Sequence, residues 1–374
     1  MRMVRQRCQS SDAALLRLLP WRFVSDGAVA HLGLRAIDMA AELHGRPVRE
    51  AIERLGSLAQ AVSVESSTRT DGPDAGSRRI RLVNGPLDVE ILPDRGLDIG
   101  QVRAGGIPLA WISATGFAPL SPGDADERGW MRAFGGGLLT TCGLMNFGPP
   151  SIDAGERHPM HGRYSSLRAT VTRAEARSDE VVVEGVVREA TVFGADLELR
   201  RRISLPVGEP VLRVQDVVVN RGPRPVEPMV LYHLNLGWPL VDAGTVLQTP
   251  ASSVVPRDAQ AAVGADTWDV FPDLMADYPE QVFAHELPLG RRVEATVTSP
   301  TGLGVRIGVD SAALPGLFQW RVAEKGHYVL GVEPATVPTI RGRGAARDAG
   351  LLRPLAPGEE LALGVDLVVE LPGR

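Results

Sequence analysis

From about residue 80 onward the apolar side chains of this chain recur at every second position, a period that confines the backbone to extended strands. The stretch "IRLVNGPLDVEIL" (80–92) places two short segments about Asn84-Gly85, a strong hairpin turn, and sets Leu87, Val89 and Ile91 against Asp88 and Glu90. Similar segments follow at 181–189, 195–205, 211–220, 231–237, 304–310, 327–333 and 361–371. The 41 glycines and 29 prolines supply the turns that so many strands require. They are spread along the chain and mark no interdomain linker. No helical period stands out after residue 60. The pattern therefore predicts an all-β protein, a large antiparallel β-sandwich.

Upstream, "PVREAIERL" (47–55) reads as a short helix, with Pro47 in its first turn and Gly56 as its stop. A turn-rich connector, "SSTRTDGPDAGS" (66–77), joins it to the strands. Residues 1–45, with five arginines in the first 22 positions and few acids, are expected to be an N-terminal extension, leaving 46–374 as one domain. Arg17 interrupts the only apolar run there, "AALLRLLPW", which makes it a poor signal-peptide core.

Composition narrows the partners. A net charge of −5 gives no broad attraction for nucleic acid or an anionic membrane surface, so neither is expected as a partner. No apolar stretch approaches the roughly 18 residues of a membrane span. Two cysteines, Cys8 and Cys142, make no disulfide framework or zinc motif, and a cytoplasmic location is expected.

Three of the apolar segments carry polar side chains in an unusual way. In "LYHLNLG" (231–237), Tyr232, Leu234 and Leu236 point one way, while Leu231, His233, Asn235 and Gly237 point the other. A buried imidazole or amide left unsatisfied costs about 1–3 kcal/mol, so this second face must either find partners in the core or line a cavity. Period two likewise groups His161, Arg163 and Ser165 in "MHGRYSS" (160–166), and His327, Val329, Gly331 and Glu333 in "HYVLGVEP" (327–334). Each has an ordinary reading, as a satisfied core histidine or a solvated strand end. Together they offer the acid and base that opening a sugar hemiacetal needs, with Trp238 and Trp320 as the aromatic residues such a site uses.

The blocks "LPDRGLDIG" (92–100), "GGGLLTTCGLMNFGPP" (135–150), "HGR" (161–163), "LYHLNLGWPL" (231–240), "PEQVF" (279–283) and "YVLGVEPAT" (328–336), in this order, resemble the aldose 1-epimerase-like DUF4432 group of the galactose mutarotase superfamily. The resemblance spans about residues 45–374. It implies the superfamily's large β-sandwich, a cleft across one sheet, a sugar or sugar derivative as substrate, and no cofactor or metal. It further implies that His161 orients the sugar, His233 is the general acid and Glu333 the general base, with Asn235 and Trp320 lining the pocket. Arg163 stands where mutarotases carry a glycine and is expected to narrow the pocket or bind an acidic group. Arg95 and Arg132 are candidates for the substrate-binding arginine, each with an equally ordinary role in bonding turn carbonyls.

Two other chemistries fit the same residues. A sugar isomerase or positional epimerase could hold a divalent ion with His161, His233 and Glu333, since imidazole and carboxylate both suit such ions. A non-catalytic carbohydrate-binding protein would keep the aromatic residues but would not require acid and base together.

Overall fold

The computed structural model describes residues 41–118 and 127–373. The N-terminal extension expected from the sequence lies almost wholly outside them. The hairpin formed by Glu42–Leu43 and Arg46–Pro47 spans the expected boundary at 45, and Leu43 is buried in the core.

The described residues form two large antiparallel sheets packed face to face. One has eight strands, in the order Thr170–Ala176, Glu180–Ala190, Asp196–Pro206, Val211–Asn220, Glu360–Glu370, Gly304–Asp310, Arg292–Thr298 and Val246–Gln248. The other runs Val254–Pro256, Gln281–Glu286, Gly316–Glu324, His327–Ala335, Leu231–Gly237, Leu139–Cys142, Asp98–Ala104, Leu87–Leu92, Arg78–Val83 and Ser63–Thr68, with a short eleventh strand, Ile107–Pro108, on Asp98–Ala104. Every long strand expected from alternation is present. Asp196–Pro206 shows the cause. Leu197, Leu199, Ile203 and Leu205 enter the core, while Glu198, Arg200 and Arg202 face out; Arg200 pairs with Glu198 and Glu360, and Arg202 with Glu180 and Glu184, all on the same sheet.

The core lies between the sheets and takes Tyr232, Leu234 and Leu236 from one side of the strand Leu231–Gly237. Its other side faces a second, smaller cluster that includes Leu231, Phe318 and Ala335. This outer face of the eleven-stranded sheet is covered by the helix Glu127–Ala133, the segment 143–167 and the helix Arg343–Asp348. The last is anchored by Arg343, which donates to Asp153 at 2.7 Å and to Glu227 at 2.9 Å.

Four short α-helices occur among the described residues. The first, Val48–Ile52, lies within the span expected for it, with Pro47 as its N-cap. The other three have four to seven residues, too few for a 3.6-residue period to stand out from sequence. None of the described helices is long and apolar enough to cross a membrane.

Candidate active site

The polar side of Leu231–Gly237 forms the floor of a cavity. That strand pairs with His327–Ala335 in a register that sets Leu234 against Val332 and Asn235 against Gly331, so His233 lies directly across from Glu333. Directly opposed side chains in an antiparallel pair share a face at about 4.5–5.5 Å between Cβ atoms. Here the His233 Nε2 and Glu333 Oε1 are 3.3 Å apart.

The next strand, Gly316–Glu324, places Trp320 opposite Gly331, which has no side chain to block it. A Cβ on Gly331 would lie 2.9 Å from Glu333 Oε1 and 3.0 Å from the Trp320 Cβ. Glycine at this position therefore lets tryptophan and glutamate occupy one face. Trp320 presents its edge to His233, with ring centroids 5.3 Å apart, and donates from Nε1 to Glu280 at 3.1 Å.

The opposite wall comes from the helix Glu127–Ala133 and the turn around residue 161. Trp130 stacks on Phe134 at 4.5 Å and on His161 at 4.3 Å. His161 does not belong to a strand, contrary to the period-two reading of "MHGRYSS". Its φ is +54°, in the left-handed region that is uncommon for a side-chain-bearing residue, and Tyr164–Ser166 form a 3-10 turn. Gly162 allows this turn. A Cβ there would meet the Gly143 carbonyl oxygen at 2.3 Å. The tight turn aims the imidazole inward, 5.8 Å from the His233 ring.

The cavity thus enclosed has a volume of about 610 Å³, and Met160, Pro149 and Ile340 complete its apolar surface. Burial works on its floor in opposite directions. It drives the His233 imidazole down to about 4, with the Asn235 side chain acting weakly the other way. His161 falls to about 3 through burial, reinforced by His233. The Glu333 carboxyl is pushed up to about 8 by burial and then by the charge of Glu280, with Arg257 opposing. Among the described residues, the Nδ1 atoms of both histidines are buried without hydrogen-bond partners, and the buried Glu333 Oε1 has only the 3.3 Å approach of His233 Nε2.

Not every expected site residue reaches this cavity. Asn235 is fully buried and absent from the cavity lining, and its amide donates to the carbonyls of Gly137 and His233. Arg95 is buried and donates to the carbonyls of Ala118 and Ala133, which ties down the end of the helix Glu127–Ala133. Arg132 is exposed on that helix and is absent from the cavity lining. Arg163 turns away to Glu189 at 3.3 Å and lines a separate cavity of about 190 Å³, so it does not narrow the main one. Trp238 is 65% exposed and takes no part. Among the described residues no three His, Cys, Asp or Glu side chains are placed to hold a metal ion. His161, stacked on Trp130, does not converge with His233 and Glu333 as the metal-dependent reading requires.

Several lining residues escaped the sequence reading: Trp130, Phe134, Arg257, Glu280 and Arg341. The tryptophan and phenylalanine are four apart in "GWMRAF", just before the glycine block, a helical spacing that would have marked a single apolar turn.

A family described as "Domain of unknown function (DUF4432)" matches residues 74–369. The chain belongs to that family. No curated protein matches the sequence. Among solved structures, this DUF4432 chain is similar to an aldose 1-epimerase candidate from Klebsiella pneumoniae, with a TM-score of 0.72 and 23% identity over 82% of this chain and 83% of that one. A galactose mutarotase-like protein from Clostridium acetobutylicum has a TM-score of 0.59 and 14% identity, covering 83% and 99%. The galactose 1-epimerase from Lactobacillus acidophilus has a TM-score of 0.55 and 16% identity, again covering 83% and 99%. At these identities the likeness establishes the galactose mutarotase-like fold.

Proposed function

We propose that this protein is an aldose 1-epimerase that interconverts the anomers of a sugar or sugar derivative by general acid-base catalysis. The observation that carries this reading is the opposed pair His233 and Glu333, 3.3 Å apart on the floor of an aromatic-walled cavity. The galactose 1-epimerase from Lactobacillus acidophilus shares the fold, which adds to it.

Opening a cyclic hemiacetal requires one group to take a proton and another to give one. Between about pH 4 and pH 8 the pair holds one proton, which rests on Glu333 before a sugar binds. Sugar hydroxyls that donate to the Glu333 carboxyl favour its charged form, because a hydrogen bond to that form lowers its pKa. The proton then crosses to His233 Nε2. Glu333 takes the proton of the anomeric hydroxyl, the bond from C1 to the ring oxygen breaks, and that oxygen receives the His233 proton. Rotation about C1–C2 presents the other face of the aldehyde. Closure reverses both transfers and restores the pair. Trp320, Trp130 and Phe134 supply apolar faces for the sugar's C–H groups and exclude water, which strengthens the electrostatics of both transfers.

Anomer exchange measured by NMR saturation transfer over a panel of aldoses, deoxy sugars and uronic acids tests this directly. Exchange should be accelerated for at least one sugar, and Glu333→Gln should slow it by about 10²–10⁴-fold while leaving the circular dichroism spectrum unchanged. Acceleration that survives the substitution would remove Glu333 from the chemistry.

A further inference from the structure

The charged groups around the cavity are unevenly committed. At the edge of the sheet, Arg257 lies between two carboxylates, 2.8 Å from Asp258 and 2.9 Å from Glu280. Glu280 also accepts from Trp320. That end of the cavity therefore carries two acids against one guanidinium, with every charge engaged.

The other end is formed by Gly148, Pro149, Ile340 and Arg341. The Ile340 backbone is packed against Gly148, whose carbonyl accepts from the His161 amide, so this end adjoins His161. Arg341 is exposed, and among the described residues its guanidinium has neither a carboxylate nor a carbonyl partner. Its neighbour Arg343 is the opposite case, buried and saturated by Asp153, Glu227 and backbone carbonyls. Of the three arginines that the sequence singled out, Arg95 and Arg163 are likewise occupied away from the cavity, and Arg132 is absent from its lining. Of the two arginines that line the cavity, Arg341 is the one whose guanidinium is without a partner among the described residues.

Resting on the aldose 1-epimerase reading above, we propose that the substrate is an aldose derivative bearing an oxyanion, a carboxylate or a phosphate, which Arg341 binds while the anomeric carbon lies at His233 and Glu333. A guanidinium offers a planar fork of donors that matches either oxyanion in bidentate fashion. The carboxylates of Asp258 and Glu280 repel an oxyanion from the opposite end and accept from neutral hydroxyls there. The cavity thereby sets the direction in which the sugar lies, anion toward Arg341 and hydroxyls toward Glu280.

The test uses matched sets of glucose, galactose and mannose, their uronic acids and their 6-phosphates, with the wild-type protein and Arg341→Gln. Anomer exchange should favour an anionic member over its neutral parent by about 10–100-fold in kcat/KM, the scale of a charge-assisted hydrogen bond. In Arg341→Gln that preference should fall by a similar factor, chiefly through KM. Preference for the uronic acid or for the phosphate identifies which oxyanion is meant. A neutral sugar that is handled as well as both anionic forms, or a preference that the variant retains, overturns the anion site and leaves the epimerase reading standing. If no sugar exchanges faster than in buffer, the epimerase reading fails instead, and titration calorimetry with the same sugars decides the anion site. Binding of an anionic sugar that is lost in Arg341→Gln supports it, and no binding, or binding indifferent to the variant, overturns it.

Discussion

His233 and Glu333 lose hydration together, and the loss acts oppositely on the two groups. It disfavours the charged imidazolium and the charged carboxylate alike, so the histidine is held neutral and the glutamate protonated. Below about pH 4 both groups are protonated and no base remains. Above about pH 8 both are deprotonated and no acid remains. The kcat/KM profile of anomer exchange should therefore be bell-shaped, rising through about 4 and falling through about 8. A profile that is flat from pH 4 to pH 9 would show that this proton is not used. The two residues could be picked out from sequence because each interrupts an alternating apolar strand, and alternation fixes direction. Arg163 misled for the converse reason. Its assignment assumed an extended segment, whereas the left-handed backbone at His161 breaks the alternation and sends Arg163 to Glu189.

At the scale of elements, the pairing of three strands composes the floor. Gly316–Glu324, His327–Ala335 and Leu231–Gly237 bring Trp320, Glu333 and His233 onto one face, with Gly331 as the gap that makes them compatible. Gly331→Ala should disturb both neighbours. Forcing a methyl group into a packed position typically costs about 1–3 kcal/mol, and here the contacts are the Glu333 carboxylate and the Trp320 Cβ. Urea unfolding should show a lower midpoint, and anomer exchange should fall more than stability alone explains, since the Glu333 carboxylate is displaced. Full activity in a destabilised variant would mean that the packing around Gly331 has slack. The helix Glu127–Ala133 shows the limit of sequence reading at this scale. Its seven residues contribute one cavity-facing turn, and its importance comes from the stack of Phe134, Trp130 and His161, a contact between segments some 30 positions apart.

Across the whole molecule, the sandwich is held beneath the site by a buried ionic link between its sheets. Arg201 of the eight-stranded sheet forms a bidentate pair with Asp216 of the same sheet, at 2.9 and 2.7 Å, and donates to Thr141 at 2.9 Å on the eleven-stranded one. The Tyr232 hydroxyl donates to Asp216 at 2.7 Å, so the residue beside His233 is fixed from below. The fold was legible because each long strand declares its buried face through alternation, and sandwich formation follows from many such faces. The charged rim of the cavity was not, because Arg257, Glu280 and Arg341 acquire meaning only from strand order and from which neighbours neutralise them. That His233 and Glu333 act as one proton-sharing unit is tested most directly by comparing anomer exchange in Glu333→Gln, His233→Ala and the double variant. Residues that act as a unit give strongly non-additive losses. The double variant should be no slower than the worse single one, each single loss being about 10²–10⁴-fold. Losses that multiply would show two independent contributions and contradict the shared proton.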